Sequence, residues 1–274
     1  MIIKTLAVTL CLFGIHYVFA INNPEIGIAT HQGQDNVVKA EEYIYSPADT
    51  VVLGTSLAGR ILYRDSLPTI QSIAFGGSSP ECGLTILSRM ERKPKVALIE
   101  TNLLTRESDL GFVDDVTDPW RMKMNTLLPN LRERNKPICE LFGWLLKMSG
   151  MNMYASAINV PRELLESRMA DMRKNWSEFD SKEYKARLEE IAAMVHAIEK
   201  DGVKVMFFEM PINPEMQAMP EYKEAQRLVR ERFPEAKYDY LPNDTTEYET
   251  TDGEHLSYTE QCRYTAFFKR AIRK

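Results

Sequence analysis

Thr50-Val-Val-Leu-Gly-Thr-Ser-Leu-Ala-Gly59 is the stretch on which the fold turns. Its first four residues are apolar or β-branched and too few for a stable helix, so they read as a buried strand. Gly54 ends the run, and Ser56 follows in a glycine-flanked turn that leads toward a helix predicted at about 57–64. A serine there holds its hydroxyl above a sheet edge, close to helix N–H groups that favour developing negative charge. The same position also suits a simple helix cap.

The pattern repeats outward from this unit. Ile70-Gln-Ser-Ile-Ala-Phe75, Lys95-Val-Ala-Leu-Ile-Glu100 and Val203-Lys-Val-Met-Phe-Phe208 are strand-like, and Lys237 to Leu241 is a weaker fifth. Helices are predicted between them at about 80–92, 119–135, 137–149, 178–201, 214–232 and 258–272. Strands separated by helices give an α/β protein: three α/β/α layers around a mainly parallel, doubly wound sheet. Ligands in that plan sit beyond the carboxyl ends of the strands, so the turns after each strand carry the chemistry. One gap is too long for a simple crossover. About 100 residues separate the third strand from the fourth, where a dozen or so suffice. This gap holds a helical insertion at about 103–178, with Trp120, Trp144, Trp176 and a Met-rich run from Met148 to Met153. Met and Trp at helical spacing usually fill a core, so the insertion is expected to pack on itself; the alternative is a lid over the strand ends.

Composition excludes several classes. Of 274 residues, 44% are hydrophobic and 27% charged, the balance of a soluble globule rather than a disordered or multi-span chain. With 34 basic against 39 acidic side chains, the net charge of −5 argues against a nucleic-acid partner. Four Cys and four His, with no Cys pair in metal-ligand spacing, argue against a metal site.

The N-terminus has the order of parts of an export signal. Lys4 precedes an uncharged run from Thr5 to Ile21, with Val18 and Ala20 in positions suited to cleavage. At about 17 residues the run also sits at the lower limit for spanning a bilayer, so a retained anchor is the rival. Either way the body is expected outside the membrane, periplasmic or extracellular. Residues 22–47 are polar and aperiodic and read as a tether, and the folded body runs over 48–274. In an oxidising compartment Cys82, Cys139 and Cys262 leave at least one thiol unpaired among them.

The turns complete a constellation. Phe75-Gly76-Gly77-Ser78-Ser79-Pro80 follows the second strand, and its glycines let a backbone N–H approach a ligand, though a turn before a Pro-initiated helix explains it equally. Asn102, after the third strand, carries an amide able to donate to an oxyanion. Thr251-Asp252-Gly253-Glu254-His255 precedes the last helix. An Asp three residues before a His can hold imidazole Nδ1 and leave Nε2 free to take a proton.

In this order the four turns resemble the SGNH (GDSL-like) hydrolases, a superfamily of serine esterases and acyl transferases with a flavodoxin-like sheet. The resemblance implies Ser56 as nucleophile, His255 as general base and Asp252 as its orienting partner. It implies an oxyanion hole from the N–H groups of Ser56 and Gly77 (or Gly76) and the Asn102 amide, with no cofactor or metal. Three departures stand out: Thr55 replaces the usual Asp of the first block, and in the third block Glu100 replaces the usual Gly and Leu103 the usual Asp. An exported N-terminus and a helical insertion are similar to the branch that acylates cell-surface polysaccharides. That branch implies an acylated small molecule or glycan as substrate and a polytopic membrane acyltransferase as partner. A general secreted esterase and a catalytically silent scaffold subunit are the alternatives.

Overall fold

In the computed structural model, residues 2–150 and 160–273 are described. Five strands form one sheet: β1 (Thr50–Gly54), β2 (Ile70–Ala74), β3 (Val96–Glu100), β4 (Lys204–Phe208) and β5 (Asp239–Tyr240). Their order is β2-β1-β3-β4-β5 and every pairing is parallel. This is the flavodoxin-like doubly wound order. The helices are α1 (Ile2–Asn22), α2 (Gln32–Tyr45), α3 (Tyr63–Ser66), α4 (Pro80–Arg89), α5 (Leu110–Val116) and α6 (Pro119–Leu127). They continue as α7 (Pro137–Ser149), α8 (Arg162–Ser177), α9 (Ser181–Lys200), α10 (Pro214–Ala218), α11 (Pro220–Arg232) and α12 (Tyr258–Ala271).

Alternation along the strands builds the layers. Val52, Ala74, Leu98 and Phe208 share one core cluster with Phe268 of α12 and Tyr222 of α11. Phe208 and Phe268 meet edge to face with centroids 5.2 Å apart. Leu53 and Ile73 point the other way, against α4, where a Cβ on Gly83 would come within 3.0 Å of Leu53 Cδ2. Both faces are therefore covered, which is why the strands read as continuous apolar runs.

The described residues fall into two compact units. One comprises those within Ser46–Leu110 and Tyr154–Lys274 and contains the whole sheet. The other, within Met1–Tyr45 and Gly111–Met153, is helical. In the helical unit α2 is organised by a buried carboxylate. Glu41, 3% exposed, accepts from Asn125 Nδ2 at 3.0 Å, Arg121 at 3.1 Å and the Glu133 N–H at 2.7 Å.

Several expectations are corrected. Residues 22–47 are not a structureless tether, because α2 occupies Gln32–Tyr45 and buries Val38, Ala40 and Tyr43. The insertion is not one body over 103–178: Gly111–Met153 belongs to the helical unit, whereas α8 belongs to the sheet unit. Trp120 and Trp144 do not fill a core, being 68% and 48% exposed, and Met148 is 67% exposed. The rest of the Met-rich run, from Met151, lies outside the described residues. The helices expected at 119–135 and 214–232 each break at a proline, Pro129 and Pro220, which lacks the N–H the ladder needs. α1 is long and apolar enough to cross a membrane, with mean hydropathy 1.8 and none of that window buried; a signal sequence or an anchor fits this description. All four cysteine thiols are free, with Cys82 and Cys139 buried.

Candidate active site

The Ser56 turn hangs on a carboxylate. β1 ends at Gly54, and the next four residues turn sharply beneath the end of β3. Glu100, 0% exposed at the end of β3, accepts the Thr55 N–H at 2.9 Å, the Ala58 N–H at 3.0 Å and the Thr55 hydroxyl at 2.9 Å. Thr55 Oγ1 in turn accepts the Leu57 N–H at 3.1 Å. Three of the N–H groups flanking Ser56 are thus satisfied around it. A Cβ at Gly54 would stand 2.7 Å from Glu100 Oε2, so only glycine leaves room for the clamp. Burial pushes the Glu100 carboxyl up, against the pull of the Thr55 and Ala58 N–H groups.

The His255 loop is built on a second carboxylate. Asp252 Oδ1 accepts the backbone N–H groups of Glu254 at 3.1 Å and His255 at 2.8 Å, and Oδ2 faces His255 Nδ1 at 2.7 Å. The loop closes on itself through the Thr251 N–H donating to His255 O at 2.8 Å. Gly253 sits at φ 98°, a region in which other residues are strained. Burial works against the Asp252 carboxylate, but the imidazole and these N–H groups outweigh it and draw its pKa down to about 2. With Nδ1–H donating to Asp252, Nε2 is left to accept, and it lies 2.7 Å from Ser56 Oγ. Ser56, His255 and Asp252, separated by 199 positions from the first to the second, are therefore joined in one hydrogen-bonded line.

The expected donors divide. Among the described residues neither the Ser56 nor the Gly77 N–H has a protein acceptor, and Gly77 takes φ 77° after β2. The Asn102 amide is engaged elsewhere. Its Nδ2 donates to Met210 O at 2.9 Å and Tyr222 Oη at 3.0 Å, and its Oδ1 accepts the Met210 N–H at 2.7 Å. Both amide hydrogens are spent, one on the segment after β4 and one on Tyr222 of α11, and the residue is 1% exposed. Ser79 caps α4 through the Glu81 N–H, with Pro80 in its first turn.

Sequence reasoning missed three supports. Glu100 registered only as a departure from a motif; its pairing with Thr55, another departure, was the available signal. Glu254, 5% exposed, has its carboxyl raised by burial, with the His255 charge and a hydrogen bond to Trp176 opposing. Trp176 belongs to α8, as do Arg168, which donates to Thr251 O at 3.1 Å, and Met169, whose Cγ would stand 3.1 Å from a Cβ on Gly253. α8 thus buttresses the His255 loop.

The sheet unit also holds a cavity of about 300 Å³ beyond β4, lined by Glu209, Tyr222, Lys223, Gln226 and Asn243 among others. No member of the Ser56–His255–Asp252 line borders it. Among the described residues no cluster of His, Cys, Asp or Glu is arranged to hold a metal ion. No known protein family, curated protein or solved structure matches the chain.

Proposed function

We propose that the protein is an exported serine acyl-esterase or O-acyltransferase of the SGNH type, acting on an acylated small molecule or cell-surface glycan. The observation that carries this reading is the 2.7 Å approach of His255 Nε2 to Ser56 Oγ with Asp252 seated on Nδ1. A serine hydroxyl alone is a weak nucleophile. A base on one side, oriented by a carboxylate on the other, is what activates it.

In the proposed cycle His255 Nε2 takes the Ser56 hydroxyl proton as Oγ attacks the ester carbonyl. The carbonyl π pair moves to oxygen, where the Ser56 and Gly77 N–H groups receive the charge. Collapse breaks the ester C–O bond, and His255 returns the proton to the leaving alcohol. An acyl-serine remains. Water or a sugar hydroxyl then attacks it, giving up its proton to His255, which reprotonates Ser56 on release. Asp252 keeps the imidazole in the right tautomer throughout and stabilises its cationic form. Depressed to about 2, this carboxyl stays ionised across the physiological range.

Acetyl-ester turnover by the purified chain tests this. Turnover is expected, and Ser56→Ala should reduce it by about 10⁴-fold or more. No turnover on any short-chain ester, or turnover that survives the substitution, contradicts the proposal. Loss of surface-glycan acetylation in cells carrying Ser56→Ala would assign the transferase over the general esterase.

A further inference from the structure

Among the described residues, the helical unit carries apolar surface that is left exposed. α7 buries Cys139, Gly143 and Leu146 on one side. On the other, Ile138, Leu141, Trp144, Leu145 and Met148 are 56%, 52%, 48%, 50% and 67% exposed. Steps of three, three, one and three place them on a single helical stripe. Lys136 and Lys147 flank it.

α7 is also bonded to the far end of α1. His16 Nε2 reaches Asn135 O at 2.9 Å and Glu140 Oε2 at 3.2 Å. Ala20, the residue at the expected cleavage point, is 1% exposed. Just past α1 the Ile28 N–H donates to Cys139 O at 3.1 Å, and a Cβ on Gly143 would lie 1.7 Å from Ile26 O. Chain and helix are in direct backbone contact there, which only glycine permits.

These ties set a length. From the Lys4 charge to the His16 tie is about 12 residues, or about 18 Å of helix at 1.5 Å per residue. A hydrocarbon core is about 30 Å thick. Snorkelling of Lys4 recovers several Å. The remainder requires the part of the unit joined to His16 to enter the boundary region, and an interfacial helix lies about 5–10 Å deep there. The structure therefore points to a bilayer as the occupant of the stripe. We propose that α1 is retained as an anchor and that the α7 face of Ile138, Leu141, Trp144, Leu145 and Met148 lies in the outer membrane–water boundary beside it.

The test uses the full chain, expressed in bacterial membranes and reconstituted into phosphatidylethanolamine–phosphatidylglycerol vesicles with and without acyl-chain bromines. Intact mass should include residues 1–20 or all but Met1. Subtracting the emission of Trp144→Phe isolates Trp144, and bromines near the headgroup end should quench that share by about half or more, as expected for a boundary depth. Leu141→Ser with Leu145→Ser should weaken the quenching while Trp144 remains. A chain beginning at Ile21 overturns retention. A Trp144 share untouched by bromines overturns the bilayer as occupant, and a photo-crosslinker at position 144 that captures a membrane protein instead of lipid assigns the face to that protein. No ester assay enters these readouts, so they stand or fall apart from the proposed chemistry.

Discussion

The Ser56 turn and the His255 loop solve one problem with the same device and opposite electrostatics. In each, a carboxylate gathers two backbone N–H groups of a tight turn: Glu100 those of Thr55 and Ala58, Asp252 those of Glu254 and His255. Glu100 is 0% exposed and its carboxyl is pushed up by burial. Asp252 retains 20% side-chain exposure, faces an imidazole and is drawn down to about 2. The lesson is a division of labour. Burial weakens the preference of a desolvated carboxyl for its charged form even as it holds a turn, whereas a partly hydrated one beside an imidazole holds its turn and keeps that preference.

Substitutions at the pair should separate holding from tuning. The largest effect is expected from Asp252→Asn, which keeps the shape but loses the charge that orients Nδ1–H. Turnover should fall by about 10²–10⁴-fold with only a modest loss of stability, measured by steady-state kinetics beside urea unfolding. Equal losses in both would mean that Asp252 merely holds its loop. Glu100→Ala should do the reverse first. It strands two buried N–H groups and leaves a void, costing about 2–4 kcal/mol of unfolding free energy. Glu100→Gln keeps an acceptor for them and should restore most of that stability, along with turnover. If Gln behaves like Ala, the clamp depends on charge and the contrast drawn above is wrong.

The smallest effect is in the pH dependence, where the two groups have opposite signs. Asp252 has its folded pKa below the unfolded value of about 3.9, so its stabilisation is complete above about pH 4 and is lost as pH falls through about 2. That contribution is about 2 kcal/mol at most, and the difference between the unfolding curves of the parent and Asp252→Asn should grow between those limits. Glu100 has its folded pKa raised, so the unfolded chain ionises first and the group costs stability as pH rises above about 4. Difference curves that tilt the same way would contradict the assignment.

The sheet was legible because β1 to β4 are short, largely apolar runs, three of them with a glycine at or near one end, and both covered faces demand apolar runs. The turns were legible for a related reason: Ser56, Gly77 and Asn102 each follow a strand, while Asp252 and His255 show in their spacing just before the last helix. α2 was not, because its buried side includes Gln34 and Glu41, which are satisfied by partners about 100 residues away rather than by an apolar stripe. The proline breaks at Pro129 and Pro220 could have been read from the residue type alone. Asn102 shows the limit of arguing from chemical type. An amide able to serve an oxyanion is equally able to tie two strand ends together, and the Met210 backbone that claims it lies 108 positions on.

The central claim is that His255 activates Ser56. A serine-directed fluorophosphonate followed by peptide mass mapping tests it directly on the full chain. The account predicts one covalent adduct, on Ser56, that disappears in His255→Ala. A Ser56 that stays unmodified in the folded parent, or that labels equally well without the imidazole, would contradict it.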